Sequence, residues 1–246
     1  MQSSRSASAN IARQQRFWTR RAAEWDHGAA NNPGLVKVVN TVLAEAAPKP
    51  GMRAVDLGCG SGQLTLTLAR SVDSVIGVDV SQRMIDLLAA NARGAGVTNV
   101  DGRATPIEHL TVERASVDLV VSNYALHHLR DADKELAVQR AALWLKPGGR
   151  LVVGDMMFGR GGQARDREII ASKLKMMLRK GPAGWWRIAK NAGRYLLRFQ
   201  ERPVSIAAWV AMFEGAGLTG VKSVPVVNEA AVVVGTKPGE GRETEG

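Results

Sequence analysis

The chain has one cysteine and four histidines among 246 residues. A lone thiol, Cys59, excludes an internal disulfide. No paired cysteines and no close His/Cys cluster carry the spacing of a zinc site, so a metal is not indicated. Also missing is any run of roughly 18 apolar residues, which excludes a membrane-spanning helix. The opening segment, MQSSRSASANIARQQR, is polar throughout and lacks the apolar centre of a secretory signal. These absences lead to the expectation of a cytoplasmic protein. No long-range repeat is visible, and the length suits one sizeable α/β domain.

Charge is unevenly placed. The formal net charge is +10. Residues 159–203 hold twelve Lys/Arg against three Asp/Glu, a net of +9, and residues 1–27 hold five against two, a net of +3. The remainder is close to neutral, so the basic character belongs to two segments.

Between them lies VDLGCGSG, residues 55–62. The apolar run Ala54-Val55-Asp56-Leu57 leads into Gly58, Gly60 and Gly62, and a helix-like run, Gln63–Ala69, follows. Strand, tight glycine turn and helix form a nucleotide-binding α/β unit, with Asp56 at the strand's carboxyl end. No Lys follows the glycines, so this is not a phosphate-cradling loop.

The order acid-x-Gly-x-Gly-x-Gly resembles the first motif of the class I S-adenosylmethionine-dependent methyltransferases. Further matches follow. In GVDVSQRMI, Asp79 ends a second strand, Ser74–Asp79, 23 positions after Asp56. An acid there suits the two hydroxyls of a ribose, although capping the next helix is the plainer role. The resemblance implies ribose binding by Asp79 and adenine packing by Val80. It also implies that Cys59 faces the cofactor within the turn, without acting as a nucleophile. Where relatives carry Gly-Asp-Ala, this chain has Gly102-Arg103-Ala104. The adenine contact is then expected from backbone amides around Ala104 and Thr105.

Residues 116–122, SVDLVVS, read as the fourth strand, followed by SNYALHHL, residues 122–129. That string resembles the fourth motif of small-molecule methyltransferases and puts Ser122 and Asn123 beside the cofactor. His127 and His128 are the candidate general bases, since His titrates near neutrality; a structural or cofactor-packing role is the alternative. Tyr124 is a candidate for orienting an acceptor. LKPGG, residues 145–149, reads as a turn before a fifth strand, Leu151–Asp155.

The resemblance implies a doubly wound, mostly parallel seven-stranded sheet of the Rossmann-like methyltransferase type. It closes with an antiparallel C-terminal hairpin, and a helical insertion precedes the last helix. Residues 1–10 and 238–246 read as disordered tails around a single domain, 11–237. Within it, 11–47 are N-terminal helices, 52–157 the cofactor core, 158–203 a basic insertion and 204–237 the closing helix and hairpin. Trp25-Asp26 resembles an aromatic-Asp pair found near the cofactor in relatives; an aromatic helix packing on the core is the alternative.

In the insertion, Arg187, Lys190, Arg194 and Arg198 share one helix face, with Trp185, Ile188, Tyr195 and Phe199 opposite. This suits peripheral contact with an anionic membrane through 164–200, a lid over a hydrophobic substrate, or plain packing. The expected function is methyl transfer by in-line displacement to a small lipophilic acceptor, a quinone, phenol or lipid. Methylation of RNA or protein is the competing reading, favoured by the basic charge. Against RNA, no RNA-binding module is recognisable, and the fourth motif lacks the Pro-Pro-aromatic string of amino-directed enzymes.

Overall fold

The structure, a computed structural model, describes residues 2–29, 31–159 and 201–239, together with Arg167, Glu168, Ala171 and Lys175. The expected membrane, lid and RNA roles of the basic insertion fall on residues outside this set, as does the end of the expected C-terminal tail.

A long helix, α1 (Gln2–Ala29), opens the chain and is followed by α2 (Pro33–Ala46). Asn32 caps α2: its Oδ1 accepts from the amides of Gly34 and Leu35 at 3.0 and 3.3 Å, and Pro33 takes the first helical position. Then come β1 (Arg53–Leu57), α3 (Gln63–Ala69), β2 (Ser74–Asp79), α4 (Gln82–Gly94) and β3 (Val100–Ala104). The second half runs β4 (Val117–Asn123), α5 (Asp131–Trp144), β5 (Leu145–Met156), α6 (Ile206–Gly215), β6 (Thr219–Val227) and β7 (Ala230–Thr236). Single 3-10 turns cover Ile107–His109 and Leu126–His128.

The seven strands lie in the order β3-β2-β1-β4-β5-β7-β6. The first five are parallel, and β7 runs antiparallel to both β5 and β6. This is the expected sheet with its closing hairpin. Strand order reverses between β1 and β4, so a crevice opens at their carboxyl ends.

Helices cover both faces, which is why the central strands read as unbroken apolar runs. On one face Val55, Val120, Leu151 and Val233 pack with Trp209 and Phe213 of α6. On the other, Ala54, Leu119, Val121 and Val152 pack with Val38 and Val42 of α2 and Leu64 and Leu68 of α3. The alternation of Ala54 and Val55 between these two clusters follows the two-residue period of a strand.

Two boundaries differ from the sequence expectation. Helix α1 begins at Gln2, not near residue 11, so part of the expected N-terminal tail is helical. Strand β5 begins at Leu145, directly after α5, and LKPGG lies within it. The chain just past β7 explains the second difference. Gly148 N donates to Lys237 O (2.9 Å) and Lys237 N to Gly149 O (2.8 Å), which ties the segment into the sheet, while the expected turn persists as a bulge: Gly148 has φ +80° and the register against β4 passes from Val117–Leu145 to Leu119–Arg150.

Candidate active site

The glycine turn leaves β1 and is pinned to β2. The amides of Gly58 and Cys59 both donate to Val78 O, at 2.8 and 2.9 Å. Gly58 has φ +77°, and a Cβ there would lie 2.1 Å from the Ala125 Cβ. Only glycine meets both constraints. The amide of Gly60 donates to Asp79 Oδ2 (3.2 Å), and that of Ser81 donates to Asp79 Oδ1 (2.9 Å). Asp79 thus ties the turn to the start of α4. Each of its oxygens retains a further lone pair for a ligand.

Asp56 is buried. Its Oδ2 accepts from the Thr65 hydroxyl at 2.6 Å, while Oδ1 has no partner in the structure. Asn123 Oδ1 is likewise buried without a partner. An unpaired buried acceptor carries a desolvation penalty of about 1–3 kcal/mol. Two such atoms at the crevice fit a cationic or hydrogen-bond-donating ligand group. Burial, only partly offset by Thr65 and reinforced by the charge of Asp79, pushes the Asp56 carboxyl up to about 7. Burial also raises Asp79 to about 6, against the opposing pull of the Ser81 and Gly60 amides. Burial and the two carboxylates raise the Cys59 thiol well above its ordinary value, so it is no nucleophile at neutral pH.

Two cavities meet at this end of the sheet. The first is lined by Asp56, Gly58, Cys59, Gly60, Asp79 and Val80 on its floor. Its far wall is Ile107 and Glu108, and α1 closes it with Asn10, Gln14, Trp18 and Trp25. Helix α1 is held there by Thr19 Oγ1 against Ser81 Oγ (3.1 Å) and by Asn91, whose Nδ2 donates to Asp26 Oδ1 (3.1 Å). The second cavity is the roomier, about 850 Å³ against about 100 Å³. Phe17, Trp18 and Trp25 form one side of it; His127, Met156 and Glu229 lie among its other lining residues. Trp18, Trp25, Tyr124 and His128 line both cavities, so the two adjoin along these side chains.

His127 and Asp155 make a buried pair in the second cavity's wall. His127 Nδ1 lies 2.5 Å from Asp155 Oδ1, and the His127 amide donates to Asp155 Oδ2 at 2.8 Å. Met156 N adds a third bond, 2.7 Å, to Oδ1. The His128 ring sits edge-on to Trp18, with centroids 5.1 Å apart, and 4.0 Å from the His127 ring. Tyr124 has φ +50°, rare for a side chain of that size, and its amide donates to Gly154 O at 2.8 Å. Burial first, then the charges of Glu229 and Asp155, raise the Tyr124 phenol above its ordinary value. It stays protonated and can only donate or orient at neutral pH.

Of the residues expected from sequence, Asp56, Gly58, Cys59, Gly60, Asp79, Val80, Asn123, Tyr124 and His128 line the first cavity, and His127 the second. Gly62, Ala104, Thr105 and Ser122 line neither. Gly62 starts α3, where a Cβ would meet Leu88. The amide of Thr105 is used by Asp79 O (2.9 Å), and the Ser122 hydroxyl by Leu57 O (2.7 Å). Arg103 turns away and pairs with Asp101 at 2.7 Å. Unforeseen are Asn10, Gln14, Glu108 and Asp155. Glu108 comes from the turn after β3, and burial raises its carboxyl. Asp155 was visible only as the acid that ends an apolar strand. Among the described residues no group of three His, Cys, Asp or Glu side chains could hold a metal ion. No described helix is long and apolar enough to cross a membrane.

A methyltransferase-domain family matches residues 54–149. A ubiquinone biosynthesis O-methyltransferase of Sinorhizobium fredii is 36% identical over 182 residues, spanning 74% of this chain and 68% of that protein. One from Rhizobium etli is 29% identical over 184 residues, spanning 75% and 68%. Among solved structures, a Burkholderia thailandensis 1,6-didemethyltoxoflavin-N1-methyltransferase with bound S-adenosylhomocysteine superposes with a TM-score of 0.65 at 16% identity. It covers 94% of this chain and 89% of that one, and shares the fold.

Proposed function

The chain belongs to the class I S-adenosylmethionine-dependent methyltransferases, and from that premise we propose that it methylates a phenolic hydroxyl of a small lipophilic molecule held in the second cavity. The observation that carries this reading is that the two cavities adjoin. A methyl donor in the first cavity and an acceptor in the second would meet where Trp18, Trp25, Tyr124 and His128 border both. Aromatic walls suit a flat apolar ring, and the relatives named as ubiquinone biosynthesis O-methyltransferases support a hydroxyl as the reacting group.

When bound, S-adenosylmethionine supplies a methyl group already activated on a sulfonium. The protein's part is then to place and desolvate. In this reading Asp79 accepts from the ribose hydroxyls, and Val80 and Ile107 flank the adenine. Glu108 takes the adenine amino group in place of the acid that Arg103 replaces. The unpaired oxygens of Asp56 and Asn123 receive the ammonium of the methionine part. Tyr124 and the two tryptophans aim the acceptor oxygen at the methyl group. Holding two reactants about 3–3.5 Å apart and aligned is worth up to roughly 7–11 kcal/mol.

The test is to incubate the protein with methyl-labelled S-adenosylmethionine and catechol and to identify products by mass spectrometry. A labelled methyl ether supports the reading. A protein that binds the cofactor but leaves the hydroxyls of catechol and of a lipophilic catechol unmethylated contradicts it.

A further inference from the structure

We infer that His127 and Asp155 form a general-base dyad, with His127 taking the proton from the acceptor hydroxyl and Asp155 serving as its positioning residue. This rests on the phenolic reading above and assigns the base within that same cavity.

The geometry makes the assignment. Asp155 is completely buried, and among the described residues the hydrogen bonds its carboxylate accepts come from His127 and Met156. His127 gives it the ring Nδ1 at 2.5 Å and the backbone amide at 2.8 Å, and Met156 gives its own amide at 2.7 Å. Gripping both the ring and the amide of one residue fixes the ring's rotation and its tautomer. With the proton on Nδ1, pointed at the carboxylate, Nε2 carries the lone pair. His127 lines the acceptor cavity and is absent from the lining of the cofactor cavity. A base for the acceptor belongs there, since it must reach the hydroxyl without obstructing the methyl donor.

The charged and titratable groups around the ring come from every element that faces it. Asp155 belongs to β5, and Tyr124 and His128 flank the ring within the β4–α5 connection. Glu229 of the β6–β7 turn, Glu201, Arg21 and Glu24 of α1, and Lys37 of α2 line the same cavity. Arg202 N donates to His127 O at 2.7 Å. The nearest fixed acid is Asp155, so a proton arriving on Nε2 makes an imidazolium already paired with a buried carboxylate.

The step balances. The acceptor O–H bond breaks and its proton passes to His127 Nε2. The oxygen's electron pair forms the new C–O bond while the S–CH3 bond breaks, its electrons going to sulfur. The positive charge thereby moves from the sulfonium to the imidazolium, and the proton leaves afterwards to solvent.

The experiment compares wild type, Asp155→Asn and His127→Gln on catechol and on the more acidic 4-nitrocatechol. On catechol, the variants are expected to lose about 10²–10⁴-fold in kcat with little change in KM. On 4-nitrocatechol, which ionises without help at neutral pH, the loss is expected to shrink to less than about tenfold. S-adenosylhomocysteine affinity, read by isothermal titration, is expected to stay within a factor of about two, since neither residue lines the cofactor cavity. It also reports whether each variant is folded. Proton NMR of the unliganded wild type is expected to show a far-downfield imidazole N–H resonance that Asp155→Asn removes.

Equal losses on the two phenols, or an Asp155→Asn variant as fast as wild type, overturn the dyad while leaving the phenolic acceptor standing. Absence of the downfield resonance in wild type overturns the pairing without reference to activity. A wild type that binds S-adenosylhomocysteine but methylates neither phenol instead sinks the acceptor reading on which the dyad depends.

Discussion

Cofactor affinity should depend on pH through Asp56. Its carboxyl titrates at about 7 because burial penalises the charge, and its Oδ1 has no partner. An ammonium group about 4 Å away, at an effective dielectric of 20, contributes about 4 kcal/mol. At 1.36 kcal/mol per pH unit this lowers the carboxyl by about three units, to near 4, in the complex. Binding therefore releases a proton wherever the pH lies between about 4 and 7. At pH 6 about one molecule in ten carries the free carboxylate, so Kd for S-adenosylhomocysteine should be about tenfold weaker than at pH 8. Asp79, titrating at about 6, adds about a further factor of two at pH 6 if it accepts from the ribose.

The stability of the unliganded fold runs the opposite way. The folded value of Asp56 lies above the ordinary 3.8, so the protonated form favours folding. That contribution is whole below about pH 4 and is lost as the pH rises through about 7. Thermal stabilisation by ligand should therefore grow with pH. The assay is isothermal titration at pH 6, 7 and 8 in phosphate and in a buffer of high ionisation enthalpy. At pH 6 the buffers should differ by the heat of about one proton. Asp56→Asn should flatten the pH dependence and weaken binding at pH 8 by about 10–100-fold. A Kd constant from pH 6 to 8, with no buffer effect, refutes the reasoning.

Gly58→Ala should destabilise the fold by about 3 kcal/mol or more, since the new methyl would lie 2.1 Å from Ala125 Cβ at φ +77°; thermal denaturation reads the loss, and titration should find no cofactor binding. Cys59 should resist iodoacetamide at pH 8 with or without cofactor, because burial keeps it a thiol; rapid alkylation of the folded protein would argue against that environment. Trp18→Ala should raise KM for catechol by about tenfold or more with a smaller effect on melting temperature, because Trp18 lines both cavities; an unchanged KM would remove it from the acceptor's contacts.

The parts of the site legible in the sequence are those whose chemistry is local. The glycine turn declares itself because Gly58 needs a positive φ, and Asp79 because it is the acid that ends the second strand, two positions before the Ser81 cap. The parallel, doubly wound character of the sheet follows from alternation of short apolar runs with helical ones, while the closing hairpin was implied by the resemblance. What the sequence did not disclose depends on contacts distant along the chain. Asn10 and Gln14 reach the cofactor cavity only because Thr19 and Asp26 fasten α1 across α4. Asp155 gains its meaning from His127, 28 positions earlier. Pro147, Gly148 and Gly149 make the turn their composition implies, a bulge with Gly148 at φ +80° inside the strand. That Lys237, from beyond β7, pairs with Gly148 and Gly149 and draws this turn into the sheet was not legible in the sequence.

Donor and acceptor are expected to meet where Trp18, Trp25, Tyr124 and His128 border both cavities. A crystal structure of the protein with S-adenosylhomocysteine and catechol addresses it most directly. Adenosine is expected against Asp79 and Val80, the ammonium on Asp56, and a catechol oxygen in the second cavity, facing the sulfur and within hydrogen-bond reach of His127 Nε2. Catechol bound elsewhere, or bound in that cavity with its hydroxyls turned away from the sulfur, would contradict it.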